Sequence, residues 1–539
     1  MQKAKTFNGE SISIDVLVDD GKSLAADLKK HRSKNLRKVV DPYIQFVDES
    51  VCKHTGYKLI DIWRYFRHTW SIEYRATPGR SLAYLIRNKA RKHHPVIGIV
   101  GLANVVFRLR DRDDYIGWTP EGVVKRIDDN PGFWGEFRQA AIDCLTDAKN
   151  AIRSDDLLKE VGNTSSTAEL VKRLRNISGM EHDRRKVELN EVYNEALAQE
   201  STIGPKRLDI VKSDGSMDWL AQSEASLFRR KRAETLADII FALETLQIAD
   251  DPSNSIVQKL SKEILEERYN QVTYDPDFDK AYRIAIREIK KIGAATRMMD
   301  VNVCGASPVY REILGGKLAA LSLFSEDVQK AYSAKYSNAA SEIASSMAGR
   351  PIIKPTRITL LTTTSLYGVG SSQYNRVQMK YGNRVVRWEK IGTTEGYGTV
   401  HLSKRTIESL RGLSITKNKR RNVNNQFGEG ASPLMRQMRE GLTFLGFDAN
   451  EVLQHSQKRI VYILELYPGA SNDLLMNRDC HPEAPTMETV ANMWLERWLS
   501  MRVQNDEVLE RLKNYSPESV RQELLPPNET ITAANGVLR

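Results

Sequence analysis

The chain of 539 residues has only four cysteines, Cys52, Cys144, Cys304 and Cys480, and none lies at a spacing that pairs it with another. That scarcity excludes a zinc or disulfide framework and fits a reducing compartment, with each thiol expected as a small buried hydrophobe. Long apolar runs are missing: nothing approaches about eighteen consecutive apolar residues. The opening MQKAKTFNGESISID has no apolar stretch of the kind a secretory signal carries. No membrane partner is expected, and the cytoplasm is the expected location. Internal repeats and low-complexity tracts are absent too, while an apolar fraction of 41% is ordinary for a folded protein. At this length two or three packed units are expected rather than one core.

The most informative shortage is of acid in two blocks. From Tyr74 to Arg110 there is no Asp or Glu, yet Arg75, Arg80, Arg87, Lys89, Arg91, Lys92, Arg108 and Arg110 are all basic. From Ile343 to Trp388 there is again none, against Arg350, Lys354, Arg357, Arg376, Lys380, Arg384 and Arg387. Outside these blocks 65 basic residues face 69 acidic ones, so the net charge of +11 resides in the two blocks. Charge concentrated on particular elements is the footprint of a polyanion ligand, and nucleic acid is the leading candidate. A third basic segment, KRTIESLRGLSITKNKRR, runs from Lys404 through Lys417, Lys419, Arg420 and Arg421, and RRKR occupies 229–232. The nucleic-acid contacts are expected from Arg87, Lys89, Arg91, Lys92, Arg108, Arg110, Arg376, Lys380, Arg384, Arg387, Lys417, Lys419, Arg420 and Arg421.

Periodicity divides the chain into five parts. Residues 1–76 read as helical, ending in YKLIDIWRYFRHTW with Leu59, Ile62, Trp63, Phe66 and Trp70 at helical spacing. Residues 77–119 hold SLAYLIRN and HPVIGIVGLANVVFRL, a strand pair, with DRDDYIGW closing the hairpin. Residues 120–291 are charged, strand-poor and helical, as an insertion. Residues 292–403 alternate strand and helix: MMDVNVCGASPVY, LGGKLAALSLF, RITLLTTTSLYG and the last strand candidate RVVRWEKIGTTEGYGTVHL. The remainder, 404–539, is the basic segment and a helical C-terminal domain.

Each chemical motif is weighed against a bland alternative. ILGGKL lacks the upstream glycine and the Ser or Thr of a Walker loop, with Arg311 and Leu318 in those places, so ATP hydrolysis of that type is excluded. What remains is Arg311, Gly315, Gly316 and Lys317 at a helix start, either an anion cradle or glycines that allow close packing. TSLYGVGSSQYNRV fails as a nucleophile elbow because Gly368 and Gly370 precede Ser371 and Ser372 rather than flanking a serine. Strand, glycine turn, serine cap and helix is the expected order, with Ser371, Ser372, Gln373 and Arg376 at a helix start that favours an anion. The carboxylates Asp111, Asp113 and Asp114 of RDRDDYIGW suit either a catalytic metal or a surface ion-pair network, and the flanking arginines favour the network. His93 and His94 are adjacent, which on a strand would point them to opposite faces and away from one metal. No metal or cofactor is expected.

DIWRYFRHTW, TPGRSLAYLIRNKA, HHPVIGI, RDRDDYIGW, YREILGGKLAALS, TTTSLYGVGSSQYNRV, WEKIGTTEGYGT and QFGEGASP, in that order, resemble the DruA family of Druantia anti-phage defence systems. The resemblance implies protection of bacteria against phage, encoded with other Druantia proteins that include a large helicase-like one. It carries no catalytic residue over. The element order also resembles the layout of Gcn5-related N-acetyltransferases, with LGGKL where their pyrophosphate loop would be. The implied fold is α+β, a mixed sheet of acetyltransferase-like layout with a large helical insertion and a helical C-terminal domain. Binding to nucleic acid, DNA ahead of RNA, is the expected function; a group transferase, a metal-dependent nuclease and a scaffold for the helicase are the alternatives.

Overall fold

A computed structural model describes residues 4–5, 11–70, 79–130, 132–198, 211–212, 214–248, 275–365, 373–394, 396–399, 401–417, 433–455, 458–480 and 483–524. Its centre is an eight-stranded mixed sheet. The strands are β3 (Pro42–Phe46), β4 (Ser81–Asn88), β5 (Val96–Asn104), β6 (Met298–Ala306), β7 (Leu360–Ser365), β8 (Gln378–Tyr381), β9 (Arg384–Thr393) and β10 (Ile460–Glu465). Their order across the sheet is β3-β4-β5-β6-β7-β10-β9-β8. A separate pair, β1 (Ala4–Lys5) and β2 (Ser11–Ile12), lies outside it. Every neighbouring pair in the large sheet is antiparallel except β6 and β7.

The strand pair 81–104 forms as its residues dictate. SLAYLIRN and VIGIVGLAN are aliphatic and buried on both faces, which suits central strands covered above and below. Gly98 and Gly101 keep β5 close to its neighbours: a Cβ on Gly98 would stand 2.6 Å from the Gly305 carbonyl oxygen of β6. Trp63, on the amphipathic helix Leu59–His68, packs on this face and donates its indole N–H to the Val100 carbonyl at 3.0 Å. The other face is covered by the helices Pro120–Asp129, Phe133–Ala151 and Pro276–Thr296, whose apolar sides meet Met298, Leu360 and Ile463 of the sheet. Among the described residues no helix is long and apolar enough to cross a membrane.

Four local expectations are corrected. The first eighty residues are not all helical, because PYIQF forms the edge strand β3 on β4. DRDDYIGW does not close the hairpin: Arg110–Ile116 is a helix, ended by Gly117 at φ 94°. Gln373–Arg376 is a single 3-10 turn leading into strand β8, not the first turn of an α-helix. Alternation in VQMKY and a glycine-asparagine turn, with Gly382 at φ 59°, outweigh the capping signal and set a hairpin with β9. The C-terminal part is not purely helical, since IVYILE enters the sheet as β10 between β7 and β9.

Arg87, expected to touch nucleic acid, is fully buried. Its guanidinium donates to the carbonyls of His94 (2.7 Å) and His93 (2.8 Å), to Gln45 Oε1 (2.7 Å) and to Cys52 Sγ (3.1 Å). Both histidines sit in the left-handed region, at φ 61° and 49°, costly for residues with a Cβ, and Arg87 holds the carbonyls of that turn. Arg87→Ala is expected to lower stability by about 3 kcal/mol, since buried carbonyls lose a charged donor. Thermal melting reads this, and any loss of ligand binding should follow the loss of folded protein.

Candidate anion site

The two motifs singled out in the sequence meet in space. Beyond Asp300 and Thr362 the parallel strands β6 and β7 part, having paired only over Met298–Asp300 and Leu360–Thr362. The turn Gln373–Arg376 fills the gap. Gln373 Nε2 donates to the Cys304 carbonyl of β6 at 3.0 Å, and Asn375 Oδ1 accepts the Tyr462 hydroxyl of β10 at 2.6 Å. Tyr374 is buried, with its ring 4.7 Å from that of Trp388 and 5.4 Å from that of Tyr462. With three residues anchored inward, Arg376 is left exposed.

The helix Gly315–Ser322 begins against this turn. A Cβ on Gly316 would stand 2.6 Å from Gln373 Oε1, and one on Gly315 would stand 2.9 Å from the Tyr310 carbonyl oxygen. Both glycines therefore serve close packing, and the approach brings Lys317 beside Arg376. Leu314, left-handed at φ 63°, gives its carbonyl to the Trp494 indole N–H at 3.1 Å. That bond ties on the π-helical turn Leu495–Leu499, which carries Arg497 with its guanidinium 4.7 Å over the Trp498 ring. Burial lowers the Lys317 amine below its ordinary range, and the charges of Arg376 and Arg497 push it the same way. No carboxylate is ion-paired with Lys317, Arg376 or Arg497 among the described residues. Positive charges that bear on one another with no ion-paired carboxylate among the described residues are an arrangement that an anion relieves.

The other expected residues fall elsewhere. Arg311 ends a short helical turn and reaches the Thr69 carbonyl at 3.3 Å. Ser371 and Ser372 lie outside the described residues, as do Lys419, Arg420 and Arg421, and the Lys417 side chain is likewise not described. Lys89 pairs with Asp41 at 3.2 Å, while Arg91 pairs with both Asp19 and Asp27 at 2.7 Å. Lys92 and Arg108 are exposed, and Arg110 lies 3.8 Å from Asp114. Lys380, Arg384 and Arg387 are exposed on β8 and β9, Arg387 sharing Glu389 at 3.2 Å. In RRKR, Arg229 and Arg232 are both paired with Asp156. Arg497 was missed: it stands alone in a helical segment with no basic run to mark it.

The three aspartates of RDRDDYIGW diverge. Asp111 packs against Gly392 of β9, and Asp114 accepts the Thr119 hydroxyl at 2.6 Å. Asp113 accepts from Arg112 at 2.8 Å and from Lys290 at 2.6 Å, and all three are buried, so the expected ion-pair network is internal rather than superficial. No group of His, Cys, Asp or Glu among the described residues has the makings of a metal site. His94 stacks on His54 with ring centres 4.1 Å apart. Burial first, then neighbouring charges, lowers His54 to about 4, so its ring is neutral at neutral pH, and burial lowers His94 as well.

An α+β protein with a mixed eight-stranded sheet and a cation cluster where its two parallel strands part is the class the geometry defines. The family model described as Druantia protein DruA matches residues 22–128 and 279–474, more than half of the chain, and the chain belongs to that family. A curated relative, the Druantia protein DruA of Escherichia coli (strain UMEA 4076-1), is 28% identical over 235 residues. The match takes in 42% of this chain and 55% of that protein, so the chain spans about half the length of the relative. No solved structure matches.

Two outcomes are expected. Asp113→Asn should cost about 3–5 kcal/mol in a denaturation experiment, because it leaves Arg112 and Lys290 buried with a weakened counter-charge. Inorganic phosphate, added at constant ionic strength, should raise the melting temperature of the parent protein and raise that of Arg376→Gln less, since a ligand held only by the folded state stabilises it. Equal shifts in both proteins would remove Arg376 from the anion site.

Proposed function

We propose that the chain is a component of a Druantia anti-phage defence system that binds nucleic acid, DNA ahead of RNA, and acts with other Druantia proteins including a large helicase-like one. Membership of the DruA family supports the defence role. The observation that carries the nucleic-acid reading is the close packing of the Gly315–Ser322 helix start on the Gln373–Arg376 turn, which sets Lys317, Arg376 and Arg497 in one region with no ion-paired carboxylate among the described residues. A phosphodiester satisfies such a cluster, and the exposed cations of β8 and β9 continue from Arg376 along the next strands. The five-part organisation belongs to the same reading. Residues 129–278, between the two family-matched spans, include the helices Phe133–Ala151, Thr167–Ala198 and Ser226–Ile248, which fits a helical insertion.

The acetyltransferase-like layout is supported by one parallel strand pair next to the glycine-bearing helix start. Acyl-coenzyme A fits poorly there, because Gln373 and Tyr374 fill the gap between β6 and β7 and Gly316 is pressed against Gln373. The nuclease alternative is disfavoured in the same way, with the Asp113 oxygens bound to Arg112 and Lys290. Arg376→Gln is the direct test. It removes an exposed charge that has no ion pair among the described residues, so the melting temperature should stay within about two degrees. Nucleic-acid affinity and phage protection should both fall, and the salt dependence of binding should become shallower by about one counterion. Unchanged binding across a salt titration would return this turn to a purely structural role.

A further inference from the structure

The β8–β9 hairpin is only partly joined to the sheet. β10 pairs with β9 only from Trp388 to Thr393, whereas Arg384–Arg387 pair only with β8. The hairpin therefore runs past the end of β10 as a two-stranded ribbon, at the open edge of the sheet. Its inner face, with Met379, Tyr381, Val386 and Arg384, lines a small cavity with Phe324, Leu466, Pro485 and Glu483. On its outer face Gln378 stands opposite Arg387 and Lys380 opposite Val385, and all four are exposed. An apolar Val385 left 53% exposed between cations is not accounted for by packing.

We infer that the outer face of this ribbon lies in the major groove of duplex DNA, with Arg376 at its base on the adjoining phosphate backbone. The inference rests on the nucleic-acid reading above and goes beyond it in naming the ligand as B-form duplex. A four-residue ribbon is about 13 Å long at the rise of a strand, and a B-form major groove about 12 Å wide admits two strands. Lys380, Arg387 and Gln378 are side chains that donate to the acceptor edges of purines, and Val385 suits the thymine methyl group. Lys380 has no ion pair among the described residues. Arg387 is steadied by Glu389, which also accepts the Tyr115 hydroxyl at 3.2 Å. The deep, narrow major groove of A-form RNA closes this mode, so the ribbon discriminates DNA from RNA duplex by shape.

The test is fluorescence anisotropy with the full chain and three labelled probes of one sequence: a DNA duplex, an RNA duplex and a DNA single strand. The DNA duplex should bind tightest. Lys380→Glu should weaken that binding by about tenfold or more, equivalent to one base-edge contact, without moving the melting temperature. Lys380→Arg should restore it. If the parent binds none of the probes, the nucleic-acid reading falls and the ribbon with it. If the parent binds but prefers RNA duplex or single strand, or if Lys380→Glu binds duplex as the parent does, the ribbon assignment alone is overturned.

Discussion

The two parallel strands at the middle of the sheet share only three residue pairs, Met298–Asp300 with Leu360–Thr362, while each stays paired on its other side with an antiparallel neighbour over most of its length, β6 with β5 and β7 with β10. A gap in the centre of a sheet leaves backbone donors and acceptors without a ladder, and buried backbone groups must find partners. Here side chains supply them: Thr363 gives its hydroxyl to the Val301 carbonyl at 2.7 Å, and the Gln373 amide gives its N–H to Cys304. That requirement draws the 373–376 turn into the sheet and lodges Tyr374 in the core. Arg376 follows immediately and has nowhere to go but outward. The same parting sends β6 into the helix start that carries Lys317. The cation cluster is thus a consequence of how the sheet opens, and its position would shift if the gap were closed by a longer β6–β7 ladder.

Acid-free stretches of sequence proved unequal in space. In the first block the fold brings acids from far upstream: Asp19 and Asp27 to Arg91, and Asp41 to Lys89. Arg87 is withdrawn altogether to hold a turn that no composition argument would reveal. In the second block Arg376, Lys380 and Arg384 keep no ion pair among the described residues. The difference is one of place in the fold. β4 is a central strand of the sheet whose ends meet the N-terminal elements, while β8 is an edge strand with one neighbour. A linear charge count sees the same deficit of acid in both, because pairing partners that lie far upstream in the chain contribute nothing to a local window.

Much of the fold could be read directly. The helix Leu59–His68, the strands β4 to β7 and the helices Pro276–Thr296 and Gly315–Ser322 follow periodicity that burial then satisfies. The failures have physical reasons. β10 is a run of five apolar residues closed by Glu465 inside a helical neighbourhood, and periodicity cannot distinguish a buried strand from a helix segment of that length. At Gln373 the expected helix gives way to a single 3-10 turn, because the hairpin pairing of β8 with β9 takes the residues that follow. Arg497 illustrates a third limit. Its partners Lys317 and Arg376 are brought to it by the Trp494 bond to Leu314 and by a π-helical turn, and neither has a sequence signature that a single chain exposes.

Lysine and arginine play different parts in such a cluster. A guanidinium stays charged at any physiological pH, so Arg376 and Arg497 cannot relieve mutual repulsion by losing a proton. Lys317 can, and its lowered pKa records that burial and both neighbours favour its neutral form. The folded state therefore binds that proton less readily than the unfolded chain does. The stability cost is fully present below the folded pKa and fades as pH rises toward the ordinary lysine value of 10.5. A phosphodiester bound there, as proposed, would reverse the preference by supplying negative charge beside the three cations, so that anion binding and retention of the lysine proton would reinforce each other. Losing the proton at high pH would leave a weaker site held by two arginines. An arginine in place of Lys317 would fix the charge but forfeit this coupling, which is a physical reason for a lysine at the half-buried position and arginines at the exposed ones.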